Sequence, residues 1–263
     1  MHHAVLTPFN DDIIQFLTGI CGVDMEHKDH EGLTALALAA QESRKGYVQL
    51  LLAAGADPMA RFPEGTPLLT YCVKMGYMGI FNLLFNNECQ YDATDSNGRT
   101  ALSWCATVGD EVAAKMMAML LESQRVDPNR RDNERRTALE RAIHGAQPEM
   151  VTMLCLSAKS LDVNNNKGVN LLWLIAALSR EQNCRQFYEI TRALLLYGHI
   201  ENDGGAGLRD LLRHCESSGL EEMSRMIRTF LEGGDLGPRL LQYCGLGKDF
   251  TVTNVLKETH GRY

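Results

Sequence analysis

Apolar and polar positions along this chain follow a pattern that repeats. Between Asp29 and Ala60 a short apolar run, Leu33 to Ala40, gives way to a polar break, and a second dense apolar patch follows at Leu50-Leu51-Leu52. The same order of run, break and patch returns at a period in the low thirties. Later patches stand at Leu83-Leu84-Phe85, Met119-Leu120-Leu121, Met153-Leu154-Cys155 and Leu194-Leu195-Leu196. Two short apolar segments per period predict two helices per unit, with each unit unable to bury its apolar face without a neighbour.

The start of each unit has its own signature. Gly32-Leu33-Thr34-Ala35-Leu36 opens the first full unit, Gly65-Thr66-Pro67-Leu68 the second and Gly98-Arg99-Thr100-Ala101-Leu102 the third. Arg135-Arg136-Thr137-Ala138-Leu139 opens the fourth and Gly168-Val169-Asn170-Leu171-Leu172 the fifth, with degenerate copies from Gly207 and Gly237. Glycine permits the positive φ of a tight turn, and the threonine hydroxyl can cap a helix. Pro67 is expected at the first helical position, where a missing N–H is harmless. Ala54-Gly55-Ala56-Asp57 ends a second helix with a glycine suited to a left-handed cap. Ile13-Ile14-Gln15-Phe16-Leu17 reads as the second helix of an incomplete first unit, and Leu240–Cys244 with Thr251–Leu256 as a closing helix pair.

These motifs resemble the ankyrin repeat, best at Thr34–Ala40 (TALALAA) and Thr66–Cys72 (TPLLTYC), with the GAD-type turn clearest at Gly55-Ala56-Asp57. The resemblance runs from Asp12 to about Lys257 and implies an all-α ankyrin-repeat solenoid with loop or β-hairpin tips. It implies one array over residues 1–263: an incomplete unit at 1–28, five fuller units at 29–202, and degenerate units with a cap at 203–263. The family's usual histidine is missing; Ala37, Leu69, Ser103, Glu140 and Trp173 are expected in its place. An insertion marks the fifth unit around Ser179–Tyr188.

Function follows from the resemblance as an expectation. The family serves mostly in protein–protein contacts, so a protein or peptide partner is expected on the concave face. Carried over residue by residue, that face comprises His30, Glu31, Leu33, Gln41, Glu42, Glu64, Val73, Lys74, Ser96, Asn97, Arg99 and Thr107. It continues with Asn133, Glu134, Arg136, His144, Lys167, Val169 and Trp173. Trp173 either fills volume or anchors a partner, whereas Trp104 is expected in the core. The alternative is an ankyrin-fold enzyme: Glu140 and His144 lie one helical turn apart, as a carboxylate orienting a general base would, and the Ser179–Tyr188 insertion could close over them. The incomplete first unit also fits the repeat portion of a larger protein.

Composition narrows the field. The 263 residues carry a net charge of −7, which argues against binding along nucleic-acid phosphate. No apolar run is long enough for a membrane span, and no secretory signal is evident. The eight cysteines form no C-x-x-C pair, so neither a metal site nor a disulfide framework is expected, and the chain reads as intracellular, cytoplasmic or nuclear. Cys72, Cys105, Cys215 and Cys244 fall where the family packs small alanines. No phosphate-binding glycine loop occurs, and no cofactor is expected. His2 and His3 are expected in an unordered start.

Overall fold

The computed structural model describes residues 2–6, 19, 23–87, 89–157, 161–164, 170–182, 185–197 and 206–233. The expected helix at Ile13–Leu17, the closing pair beyond Leu240, and Lys167, Val169 and Cys244 lie outside these residues. The chain falls into two compact units, Met1–Trp104 and Cys105–Tyr263. Among the described residues every regular element is a helix, joined by isolated bridges rather than strands.

In the first unit α1 (His2–Leu6) precedes the pairs α2 (Ala35–Gln41) with α3 (Lys45–Ala53) and α4 (Leu68–Met75) with α5 (Met78–Phe85). The helix α6 (Ala101–Val108) spans the boundary. In the second unit come α7 (Glu111–Glu122), α8 (Ala138–His144), α9 (Pro148–Ser157), α10 (Leu171–Gln182), α11 (Arg185–Tyr197), α12 (Ala206–Ser217) and α13 (Glu221–Leu231). Within each unit first helices pack on first helices and second on second: α2 on α4, α3 on α5, then α8 on α10 on α12, and α7 on α9 on α11 on α13. None of these helices is long and apolar enough to cross a membrane.

Small side chains make this stacking possible. Every residue from Ala35 to Ala40 is buried. Cys72 and Cys105 take the register position of Ala39 and Ala142, and all four are fully buried. Burial drives the Cys72 and Cys105 thiols far above their ordinary range, Cys155 to about 12, and Cys89 and Cys215 each to about 11. Such thiols pack as small apolar groups rather than react. Among the described residues no group of His, Cys, Asp and Glu is placed to hold a metal ion.

The turns follow the expected chemistry with one shift of register. Thr34, Thr100 and Thr137 accept hydrogen bonds from Ala37, Ser103 and Glu140 N–H, each at 3.2 Å. Gly32, Gly65 and Gly98 take φ of 80°, 88° and 73°, and Arg135 takes 60° at the equivalent place. In the second unit of the repeat, however, Arg61 bridges to Pro67 as Lys28 bridges to Thr34. Pro67 is therefore the N-cap (φ −64°, ψ 146°) rather than the first helical residue, and Thr66 aligns with Leu33. The vacated histidine position is accordingly Thr70, buried, and not Leu69. Of the fifth-unit insertion, residues 179–182 close α10 and residues 185–188 open α11, so its described residues belong to helices. His2 is likewise ordered, its Nε2 2.8 Å from the Leu33 carbonyl.

The left-handed positions give a paired prediction. A Cβ on Gly65 would meet nothing within 4 Å, so Gly65→Ala costs only the conformational penalty, about 1–2 kcal/mol. Arg135→Gly removes the same kind of penalty and is expected to raise stability by up to about 1 kcal/mol, offset in part by added freedom of the unfolded chain. Thermal melting of the two variants should shift in opposite directions; a shift of the same sign would refute this reading of the turn.

Candidate functional site

Three of the described tip loops are each organised by one aspartate. Asp29 Oδ1 accepts the N–H groups of Glu31 and Leu33, both at 2.9 Å. Asp95 Oδ1 does the same for Asn97 and Arg99, both at 2.9 Å, and Asp132 Oδ1 for Glu134 at 2.9 Å and Arg136 at 3.0 Å. In Asp95 and Asp132 the second carboxylate oxygen then holds a side chain nine residues on, in the first helix. Asp95 Oδ2 accepts from the Trp104 indole N–H at 2.8 Å. Asp132 Oδ2 accepts from Arg141 Nε at 2.8 Å and Nη2 at 2.5 Å. The loop at residues 61–67 has Phe62 in place of the aspartate and Tyr71 in place of the indole, with the two rings 4.2 Å apart. One register position of the first helix, four residues past the N-cap, is thus fixed to the tip in three different chemistries. Sequence reasoning passed over it, although the recurring Asp three residues before Gly32, Gly98 and Arg135 was visible.

Neighbouring tips are also tied. Arg61 Nη1 donates to the carbonyls of Gly65 and Thr94, each at 2.8 Å. Asp57 N–H donates to Glu26 Oε1 at 2.8 Å, and Asp162 N–H to Asn129 Oδ1 at 2.7 Å.

On the unit Met1–Trp104 the expected face is reached by most of its candidates. His30, Glu31, Gln41, Glu42, Glu64, Lys74, Ser96 and Asn97 are exposed, and Arg99 is half-buried. His30 and Glu31 lie 3.7 Å apart. Leu33 is buried, with 3% exposure, as is Val73, so both belong to the core and leave the face. Trp104, expected in the core, is instead half-buried. Lys74 Nζ stands 4.8 Å from its ring centre and Arg99 Cζ 5.0 Å. Tyr71 is half-buried between the Phe62 ring and that of Tyr77, 6.3 Å away. Burial first, then the neighbouring Tyr77, Cys72, Glu64 and Glu42, push its phenol upward in pKa.

In the unit Cys105–Tyr263 the expected Glu140–His144 pair is replaced by longer-range partners. Glu140 is buried and its Oε1 is taken by Arg131 Nη1 at 2.9 Å. Arg131 also reaches Asp162 at 2.6 Å and the carbonyls of Arg135 at 2.8 Å and Asn164 at 3.1 Å. Burial pushes the Glu140 carboxyl above its ordinary range, against the pull of Arg131. His144 keeps an exposed edge; partial burial, then Arg136 and Arg141, hold its imidazole below its usual range while Glu134 opposes them. Glu140, engaged by Arg131, is therefore not the carboxylate that would orient His144 as a general base. Glu134 links Arg136 at 3.2 Å and Arg141 at 2.7 Å. Asn133 is exposed and Thr107 half-buried. Trp173 is half-buried, with the His214 ring 5.2 Å away.

Comparison with known proteins agrees with this architecture. Residues 1–95 and 69–167 match the family described as ankyrin repeats (3 copies). The chain is 30% identical over 138 residues to ankyrin repeat and KH domain-containing protein mask-1 of Caenorhabditis elegans, which is 52% of this chain and 5% of that protein. It is 32% identical over 140 residues to neurogenic locus notch homolog protein 2 of Homo sapiens, 53% of this chain and 6% of that protein. Against neurogenic locus notch homolog protein 1 of Mus musculus it is 30% identical over 95 residues, 36% of this chain and 4% of that protein. The chain therefore spans only a small part of the length of each of these relatives. With matched segments running over residues 1–167 and tandem helix pairs tied tip to tip, the chain belongs to the ankyrin-repeat family.

Proposed function

We propose that this chain is a protein-interaction module that binds a protein or peptide partner on the face carrying the tip loops and the first helices. The observation that carries the reading is the combination at Trp104: a half-buried indole fixed by Asp95 and flanked by Lys74 and Arg99. Interface energy concentrates in rigid aromatic and arginine anchors, and a side chain already held in place loses little freedom when a partner arrives. Tyr71 and Trp173, both half-buried, offer further anchors within their own units. The exposed Gln41, Glu42, Asn97 and Asn133 supply the polar surround. An intracellular setting, cytoplasmic or nuclear, belongs to the same proposal and is supported by the free, buried cysteines.

Partner capture from extracts of the producing cells tests this reading. Gln41→Arg with Asn97→Arg places two long side chains on the proposed face, while Gln49→Arg alters an exposed position of the second helix α3. The face variant is expected to lose its partner by about tenfold or more in affinity, and Gln49→Arg to retain it. Equal recovery by both would remove the face assignment. His144→Ala is expected to leave any measurable turnover of small-molecule substrates at background, as in the parent; activity lost with that substitution would restore the enzymatic alternative.

A further inference from the structure

The residue before the left-handed position is a glutamate in three tips and an asparagine in one. Glu31, Glu64 and Glu134 precede Gly32, Gly65 and Arg135, whereas Asn97 precedes Gly98. Asn97-Gly98 is the one Asn-Gly pair among the 263 residues. Asn97 is exposed, and its side-chain amide makes no hydrogen bond among the described residues. A glycine after asparagine has no Cβ to obstruct the approach of its backbone nitrogen to the side-chain carbonyl.

The reaction open to this pair consumes only water. The Gly98 backbone nitrogen gives up its proton and attacks Asn97 Cγ. The new N–Cγ bond closes a succinimide, and the bond from Cγ to the side-chain nitrogen breaks as ammonia leaves with that proton. Water then opens the ring. Attack at Cγ yields aspartate. Attack at the main-chain carbonyl carbon yields isoaspartate, in which the backbone runs through the former side chain and gains a methylene.

The folded loop opposes the first step. Gly98 N–H donates to the Asp95 carbonyl at 2.9 Å, and Asp95 N–H to the Arg99 carbonyl at 3.0 Å. Asp95 Oδ1 holds the Asn97 and Arg99 N–H groups, both at 2.9 Å. The Gly98 nitrogen is therefore free to attack only when this clasp opens, and surface loops open far more readily than a core. Isoaspartate breaks the same clasp. A methylene added to the backbone between residues 97 and 98 moves Gly98 and Arg99 out of register with Asp95, whose Oδ2 fixes the Trp104 indole at 2.8 Å. Aspartate keeps the normal backbone, and places at residue 97 the kind of carboxylate that Glu31 and Glu64 supply in their own tips.

We propose that Asn97-Gly98 is a self-modification site: opening of the Asp95 clasp sets its rate, and its isoaspartyl product releases Trp104 from the tip. The modification stands independently of the protein-binding function proposed above, and only its effect on a partner rests on that reading.

Ageing the full chain at neutral to mildly basic pH, with peptide mapping by mass, tests the site. The amide-to-acid mass shift is expected at Asn97 ahead of the exposed Asn86, Asn87 and Asn133, and Asn97→Gln should abolish it. Labelling by an isoaspartate-specific methyltransferase should mark the same peptide. A synthetic peptide of residues 92–101 should react faster than the folded chain, and Asp95→Ala, held below its own melting transition, faster than the parent. With Trp173→Phe leaving Trp104 as the only indole, the isoaspartyl form should show shifted indole emission, whereas Asn97→Asp should keep the parent spectrum and melting midpoint. Asn97 reacting no faster than the other exposed asparagines would overturn the site. Equal rates in chain and peptide, or in Asp95→Ala and parent, would refute control by the clasp, and unchanged emission in the isoaspartyl form would refute the release of Trp104. None of these readouts needs a partner, so their failure is distinct from failure of the interaction face.

Discussion

The first helices are too short to persist in water by themselves. α2 and α8 have 7 residues and α4 and α6 have 8, below the length at which isolated helices hold together. They exist because they are buried among their neighbours, and that burial demands small side chains at the contact. Ala39, Ala142, Cys72 and Cys105 meet the demand in the same register. A larger group at any of them would force helices apart, since close-packed interiors have little room to adjust. The remaining structure inherits this constraint: because the buried side of each first helix is committed, only the tip-facing positions and the last helical turn are open to change.

The tip aspartates turn that freedom into a fixed surface. One oxygen of Asp95 or Asp132 closes the loop and the other holds a helix side chain, so loop and helix cannot move independently. Phe62 and Tyr71 achieve the same connection by ring contact. A carboxylate–indole hydrogen bond, a carboxylate–guanidinium pair and an aromatic pair are therefore interchangeable for the fold, while the half-buried indole and phenol present different chemistry to solvent. In the case of Arg141 the pair is nearly closed to water, with side-chain exposures of 9% and 1%, so removal of either partner alone would strand a charge. Rigidity of this kind matters more to recognition than to stability, since it lowers the ordering cost of binding.

Much of this was legible from residue spacing, and the failures have definite causes. The period, the glycine turns and the threonine caps are local properties, and local chemistry is what a sequence displays. The one-residue slip at Thr66-Pro67 arose because Thr-Pro can be read with threonine as cap and proline as first helical residue; only the Arg61–Pro67 bridge distinguishes the alternative. Glu140 and His144 have the spacing of a pair on one helix face, but Arg131, nine residues earlier in the loop, offers Glu140 a full opposite charge and wins it. That competition is invisible to spacing within the helix. Trp104 was misread as core for a related reason: its exposure depends on the Asp95 hydrogen bond that draws the indole toward the tip.

At the proposed face, charge would act on choice of partner more than on strength. Three arginines around the fourth tip loop are spent on internal partners: Arg131 on Glu140 and Asp162, Arg141 on Asp132 and Glu134, and Arg136 on Glu134. Pairs of this kind hold loops in place and contribute little attraction for an incoming molecule, because each cation is already matched. Lys74 is differently placed, exposed and supported by a ring rather than an acid. A cation held by an aromatic face keeps its charge available to a partner while its position is restricted, which is the arrangement that discriminates between partners by sign. The net charge of −7 therefore says little about what the proposed face would accept; the sign that matters there is set locally, by which carboxylates are already engaged and by an exposed cation such as Lys74.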